Sequence, residues 1–218
     1  MKVKWLGHAA FELTAADGTS VLTDPYEPGC FEGAVCYAPI AGEYDAVTVS
    51  HEHADHNWTK GLAGDPPVLR GAGEHTVGPV KVHGYETFHD TEKGAQRGEN
   101  TVFAFDDGEV RVVHLGDLGH ELDAETARAI GRVDVLLVPV GGTFTIDAGT
   151  AHRVAAQLGA KVVVPMHFKT DKLGFDIDGV EPFLAGQEHV RRSGSAEFEV
   201  LAATLPVEPE TVVLEPAL

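Results

Sequence analysis

An α/β fold of two β-sheets with helices on the outside is what this sequence predicts, on three observations. The first half of the chain is a series of short apolar, β-like runs separated by turn residues. In the second half, strand-like runs alternate with helical ones, an order that lays helices against sheet faces. Twenty-five glycines and twelve prolines among 218 residues supply the many turns such a chain needs.

Taken in order, Lys2–Leu6, Ala9–Thr14 and Ser20–Thr23 read as strands, and Asp17-Gly18 turns the last two into a hairpin. Asp45–Ser50 is a short apolar run of the kind found in buried strands. Val68–Leu69, Val80–Phe88, Thr101–Phe105 and Val110–Leu115 follow, the last two joined by the turn signal Asp107-Gly108. Asp123–Ile130 reads as a helix with Asp123 as its N-cap and Gly131 just past its end. Val133–Val140 is an apolar run stopped by Gly141-Gly142. Asp147–Leu158 is a second helix, capped by Asp147 and closed by Gly159. Lys161–Met166 is another buried strand, and beyond Pro182 the pattern predicts a short helix and one or two terminal strands such as Glu197–Ala202. With no repeat, linker or low-complexity block, residues 1–218 read as one domain.

The formal net charge of -18 opposes nucleic-acid binding, which needs a basic surface to displace counterions from phosphates. The opening segment Met1–His8 has no long apolar core of a secretory signal, and no stretch approaches the ~20 apolar residues of a membrane span. These features predict a cytoplasmic protein whose partner is a small-molecule substrate rather than a nucleic acid or a membrane, and leave its oligomeric state open. Cys30 and Cys36, in a Gly/Pro-rich segment, read as two free thiols in a loop, with a single small disulfide as the alternative.

The chemistry concentrates in one hexapeptide, His51-Glu52-His53-Ala54-Asp55-His56, directly after the strand Asp45–Ser50. Three imidazoles and a carboxylate so close together are costly to hold unless a cation sits among them, and their nitrogens and oxygens are donors that zinc and similar ions accept. Other strand-like runs also end in a potential ligand: Val80–Phe88 in His89, Val110–Leu115 in Gly116-Asp117, and Lys161–Met166 in His167. Five histidines and two aspartates match a two-ion site in which one carboxylate bridges. His75 and His83 compete with His89 for the third-histidine place but read as strand-face or loop residues.

The string from His51 to His56 resembles the His-x-His-x-Asp-His signature of the metallo-β-lactamase superfamily, and His89, Asp117 and His167 resemble its later ligands in order. Trp5–Phe11, Thr23-Asp24-Pro25, His114–Asp117, Pro139–Thr145 and Pro165-Met166-His167 are similar to a branch of small metal-dependent hydrolases that includes relatives of ascorbate-6-phosphate lactonase. The resemblance implies a four-layer αββα sandwich of two mixed sheets. It implies one ion on His51, His53 and His89, a second on Asp55, His56 and His167, and Asp117 with a hydroxide between them. Zinc is the first expectation for the two divalent ions, and manganese or iron(II) suit the same donors.

Such ions lower the pKa of bound water from 15.7 to about 7 and polarise the electrophile. Asp55 is the expected catalytic residue, orienting the attacking hydroxide and passing a proton to the leaving group. His8 reads as a residue that either contacts substrate or packs beneath the metals, Asp24 as a partner for a ligand imidazole, and His114 as support behind Asp117. Gly141-Gly142-Thr143 either shapes the pocket or is a plain helix-entry loop, and loops Pro25–Gly42 and Leu173–Gly186 are expected to set specificity. The function expected is a metal-dependent hydrolase of a small ester, lactone or phosphoester. Its competitors are a nuclease or phosphodiesterase of the same fold, disfavoured by the charge; a single-metal oxygenase, disfavoured by the full ligand set; and a non-catalytic metal-binding protein.

Overall fold

Alternation along the first strands decides how the two sheets meet. Val3, Trp5, Phe11, Leu13 and Val21 point to one side and join the main apolar core, while Leu6, Ala10 and Leu22 point to the other and join a second cluster. The structure, a computed structural model, describes residues 1–218. Its elements in chain order are β1 (Lys2–Gly7), β2 (Ala10–Thr14), β3 (Ser20–Thr23), the single turn α1 (Cys30–Gly33), β4 (Ala46–Val49), β5 (Val68–Arg70), β6 (Gly73–Val77), β7 (Val80–Phe88), β8 (Glu99–Asp106) and β9 (Arg111–His114). There follow α2 (Ala124–Ile130), β10 (Val135–Pro139), α3 (Ala148–Leu158), β11 (Val162–Met166), α4 (Glu181–Leu184), β12 (Val190–Arg192), β13 (Glu197–Glu199), a 3₁₀ turn at Ala202–Thr204, and β14 (Glu210–Val213).

Two mixed sheets result. The six-stranded one runs β13-β1-β2-β3-β4-β5, antiparallel as far as β3 and parallel from β3 to β5. The eight-stranded one runs β12-β14-β11-β10-β9-β8-β7-β6, parallel from β12 to β9 and antiparallel beyond. The main core lies between the sheets and continues through the second one, whose central strands β10 and β11 are buried throughout.

The helices form where their caps predict. Asp123 accepts the N–H groups of Glu125 and Thr126 at the start of α2, and Asp147 accepts that of Thr150 at the start of α3. α3 ends at Gly159 in the left-handed conformation. Its buried stripe, Ala151, Val154 and Leu158, packs α3 on β10, with α2 and α4 alongside. On the outer face of the six-stranded sheet the cover is the long segment 24–45, which contains α1. Tyr26, Val35, Tyr37 and Ile40 from this segment seal Leu6, Leu22, Val47 and Val49.

Three strands escape the sequence pattern. β6 is an edge strand with no fully buried residue, β12 is three residues long, and β14 is a short Val-Val strand within the terminal stretch. The expected terminal strand Glu197–Ala202 is the shorter β13, and it pairs with β1 in the six-stranded sheet. Cys30 is buried, Cys36 is exposed, and both are free thiols.

Candidate metal centre

Strand direction brings the polar residues together. β1, β3 and β4 point the same way in the six-stranded sheet, since β1–β2 and β2–β3 are antiparallel and β3–β4 is parallel. By the same reasoning β7, β9, β10 and β11 point the same way in the other sheet. Just beyond their C-terminal ends lie His8, Asp24, the hexapeptide 51–56, His89, Asp117 and His167. The turns are tight: His8, Asp24 and His167 all have left-handed backbone, with φ of 53°, 41° and 50°. For non-glycine residues this costs of order 1–2 kcal/mol each and persists where the surrounding structure over-determines it.

Asp117 is the hub. Its Oδ2 lies 3.3 Å from His56 Nε2, 3.2 Å from His89 Nε2, 3.2 Å from His167 Nε2 and 3.9 Å from His51 Nε2. Around it the donor atoms form two close groups, His51 with His53 and His89, and His8 with Asp55, His56 and His167, and a third, Asp24 with His51 and His56, links them, each within 4.8 Å. The seven residues that the sequence singles out as ligands therefore all converge. His75 and His83 lie away from them: His75 is on the edge strand β6, and His83 stacks on Tyr85.

Behind the groups stands a layer that fixes imidazole orientation. Asp24 is fully buried; its Oδ1 accepts the Ser50 N–H at 2.8 Å, and its Oδ2 accepts the Ser50 hydroxyl at 2.5 Å and His56 Nδ1–H at 2.9 Å. With its proton given to Asp24, the Ser50 oxygen accepts from His51 Nδ1 at 2.9 Å. Both imidazoles thus commit Nδ1 and leave Nε2 for the centre, the arrangement that metal-bound histidines need. Asp24 fills the partner role expected of it, and Ser50, unremarked in the sequence, mediates half of it.

Asp117 is held through its backbone. Its N–H donates to Asn100 Oδ1 at 2.9 Å, and the Asn100 amide is anchored on Thr87 Oγ1 and the Leu115 carbonyl. His114 donates from Nε2 to the Ala9 carbonyl at 2.8 Å and accepts the Gly116 N–H at Nδ1, so it ties β9 to the start of β2 and fixes the residue before Asp117. Gly116 has φ +57°, and a Cβ there would lie 2.4 Å from Asn100 Oδ1 and 2.6 Å from Ser50 Cβ, so only glycine fits where the two strand ends cross. Gly141 lies as close to the other side, where a Cβ would stand 2.3 Å from the His167 carbonyl.

His8 is fully buried and does not line the central cavity. Its Nε2 donates to Asp55 Oδ2 at 3.0 Å, and Asp55 does line that cavity. Burial, with His167 beside it, pushes the His8 imidazole down to about 4, so near neutral pH it is an uncharged donor. Burial and His56 hold His51 down at about 3, and burial and His89 lower His53. Burial resists ionisation of Asp55 and Asp117, yet the imidazoles around them prevail and hold both carboxyls below the usual carboxylate range. Against burial, Asp117 and Asp55 raise His56.

These directions keep three buried carboxyls, Asp24, Asp55 and Asp117, in their ionised form and favour the charged form of His56 among them. Uncompensated buried charge of that kind is expensive. His51 Nε2, His56 Nε2 and Asp117 Oδ1 are buried with no hydrogen-bond partner. A nitrogen/oxygen donor set with a charge deficit and orphaned atoms at its middle fits divalent cations.

The cavity over the centre, about 200 Å³, is lined by His53, Asp55, His89, Asp117 and His167 at its floor and by Phe31, Phe144, Phe175 and Arg97 higher up. Phe31 and Phe175 lie in the loops Pro25–Gly42 and Leu173–Gly186 expected to set specificity, and Phe144 in the segment Pro139–Thr145, whereas Arg97 sits in an irregular loop that the sequence does not mark.

Residues 2–167 match the model of the β-lactamase superfamily domain. A protein of Methanoculleus marisnigri named a metal-dependent hydrolase is 33% identical over 195 residues, covering 78% of this chain and 82% of its own length. A Rubrobacter xylanophilus protein of the same name is 29% identical and covers 99% of this chain and 94% of its own. Among solved structures, a Thermotoga maritima protein described as a Zn-dependent hydrolase of the metallo-β-lactamase superfamily is 40% identical, with a TM-score of 0.81 and 98% of each chain covered. Bacillus subtilis YhfI, at 16% identity and a TM-score of 0.62, shares the fold.

Proposed function

The chain belongs to the metallo-β-lactamase superfamily, and from that premise we propose that it is a metal-dependent hydrolase with a two-ion centre, acting on a small ester, lactone or phosphoester. The observation that carries this reading is the Asp117 carboxylate, within 3.9 Å of imidazoles from both donor groups. His51, His53 and His89 would hold one divalent ion and Asp55, His56 and His167 the other, with Asp117 shared. Zinc suits these donors best, and manganese and iron(II) suit them too. Bound there, the ions supply water acidified to near neutral pH and an electrophilic pull on the scissile group.

The protein's own residues do the rest. His8 donates to Asp55 Oδ2 and fixes the plane of that carboxylate on the cavity wall. Asp55 takes a proton from the attacking water as the new bond to the carbonyl carbon or phosphorus forms, and returns it to the leaving oxygen as the old bond breaks. The sum is one water consumed, with an ester or phosphoester giving one acid and one alcohol and a lactone opening to a single hydroxy acid. Asp24 and Ser50 keep His51 and His56 presenting Nε2 throughout.

Metal analysis of protein purified without added ions tests the reading, followed by turnover on a panel of lactones, aryl esters and phosphodiesters. The expected result is about two divalent ions per chain and cleavage of at least one class. Asp117→Ala is expected to lose metal and turnover together, whereas Asp55→Asn, which keeps an oxygen donor toward the second ion but no basic carboxylate, is expected to lose turnover by about 10²-fold or more, well beyond its loss of metal. A protein that binds no metal, or an Asp117→Ala variant that matches the parent, overturns it.

A further inference from the structure

Above the metal centre the cavity changes character. Phe31 from α1, Phe144 from the loop after β10 and Phe175 from the loop after β11 form a collar. The ring of Phe175 sits between the other two, edge-on to Phe31 at 5.5 Å and to Phe144 at 5.7 Å. Phe31 is 51% exposed and Phe144 36%, an unusual display of apolar surface around a cavity whose floor is polar. Phe31 and Glu32 hold left-handed backbone, with φ of 52° and 58°, between Gly29 and Gly33, so presenting this ring at the mouth costs conformational strain.

One cation stands in the collar. The Arg97 guanidinium lies 5.8 Å from the centre of the Phe144 ring, and Nη2 donates to the Thr143 carbonyl at 3.2 Å. It makes no ion pair with a carboxylate, so most of its five N–H donors face the cavity or solvent uncommitted. The position is built rather than incidental. Asp90, the residue after His89, gathers four backbone N–H groups, those of Glu92 and Gly94 on Oδ1 and those of Gln96 and Arg97 on Oδ2. Arg97 is thereby tied to the candidate ligand His89 through a single knot. With His53 it also borders a second, adjoining cavity that includes Glu52, Arg70 and Thr101.

We propose that Arg97 and the aromatic collar select the substrate: a small hydrolysable ester with a compact apolar body held among Phe31, Phe144 and Phe175 and an anionic group, carboxylate or phosphate, paired with the Arg97 guanidinium. The inference rests on the hydrolase reading above and gives it a substrate class. A planar fork of N–H donors on an aromatic face is matched to a two-oxygen anion. In a chain of net charge -18, an anion entering this mouth needs a local reversal of sign, which Arg97 supplies beside the cations of the centre. A cavity of about 200 Å³ also bounds the apolar body, since one of roughly 150 Å³ is enough for benzene.

Two measurements test this on the metal-loaded full chain. In the first, calorimetric titration compares benzoate, phenylphosphonate, benzamide and acetate, none of which carries an ester bond. Benzoate or phenylphosphonate is expected to bind about 10- to 100-fold more tightly than benzamide, as a charged hydrogen-bonded pair allows. Whichever of the two binds more tightly identifies the anion. Arg97→Gln is expected to bring that ratio down to within about threefold, Arg97→Lys to restore part of it, and Phe144→Ala to erase the preference for benzoate over acetate. In the second measurement, kcat/KM is compared for phenyl acetate and 4-acetoxybenzoate in the parent and in Arg97→Gln. The parent is expected to favour the anionic ester about tenfold or more and the variant to lose that preference. Anion preference that survives in Arg97→Gln overturns the proposal, because the metal ions alone would then account for it. So does cleavage of both esters without discrimination, which leaves the hydrolase reading standing. Arg97-dependent anion binding with no ester cleaved supports the binding role and counts against the hydrolase reading instead.

Discussion

Asp24 shows how much a single carboxylate can organise. It accepts from Ser50 twice and from His56 once, and Ser50 relays the effect to His51. Replacing it with Ala removes the acceptor that fixes two candidate ligands and leaves His56 Nδ1 unpartnered in a fully buried site. Asp24→Ala is therefore expected to weaken metal binding by about 10–100-fold, the usual cost of losing such a partner, measured by competition with a chelator of known affinity. Asp24→Asn keeps an acceptor and is expected to fall between the two. At this scale the sequence is a good guide to residues that announce themselves by type and spacing. The hexapeptide and the strand-end residues His89, Asp117 and His167 are of that kind. It is a poor guide to Ser50, Asn100 and Arg97, which are ordinary residues given their roles by what the fold brings beside them. Asn100 matters because β8 runs past the end of β9 and puts its amide oxygen 2.9 Å from the Asp117 N–H.

The elements follow local rules closely where those rules are strong. Asp147 and Gly159 bracket α3 as their chemistry predicts, and the Asp107-Gly108 turn joins β8 to β9. The elements that were not legible lack a local signal: β6 and β12 lie at sheet edges, and β14 owes its pairing to β11 and β12. The cap itself is testable. The Thr150 N–H holds the Asp147 carboxyl below the usual carboxylate range. A depressed folded-state value stabilises above the unfolded pKa of about 3.9, and the contribution is lost as pH falls through the lower folded value. Asp147→Ala is expected to cost about 1 kcal/mol at pH 7 and progressively less below pH 4. Denaturant midpoints of parent and variant at pH 7 and pH 3 check both the size and the sign.

At the scale of the molecule, the centre exists because six strands from two sheets end at one edge and aim unlike side chains at one point. The two-sheet layering was readable from the order of strand and helix signals. The cover over the outer face of the six-stranded sheet was not, because segment 24–45 is mostly irregular and finds its place by packing Tyr26 and Tyr37 against that sheet. Folding also gathers the Asp24, Asp55 and Asp117 carboxylates into the interior, so cations bound among them stabilise the native state. Each ion at a thousand times its Kd would contribute about 4 kcal/mol. For a chain of this length that corresponds to roughly 8–16 °C in melting temperature per ion. Melting curves with and without a strong chelator measure it, and an unchanged midpoint would mean that the interior carries its charge without help. No helix is long and apolar enough to cross a membrane.

The division between strand ends and collar loops has a practical side. What would grip the ions hangs from rigid strands, whereas what would meet an incoming molecule hangs from α1 and the loops carrying Arg97, Phe144 and Phe175. A library randomised only at those four positions leaves the apparatus beneath untouched. Selection from it would be a search for new appetites in an old engine, with every clone that folds still able to burn fuel.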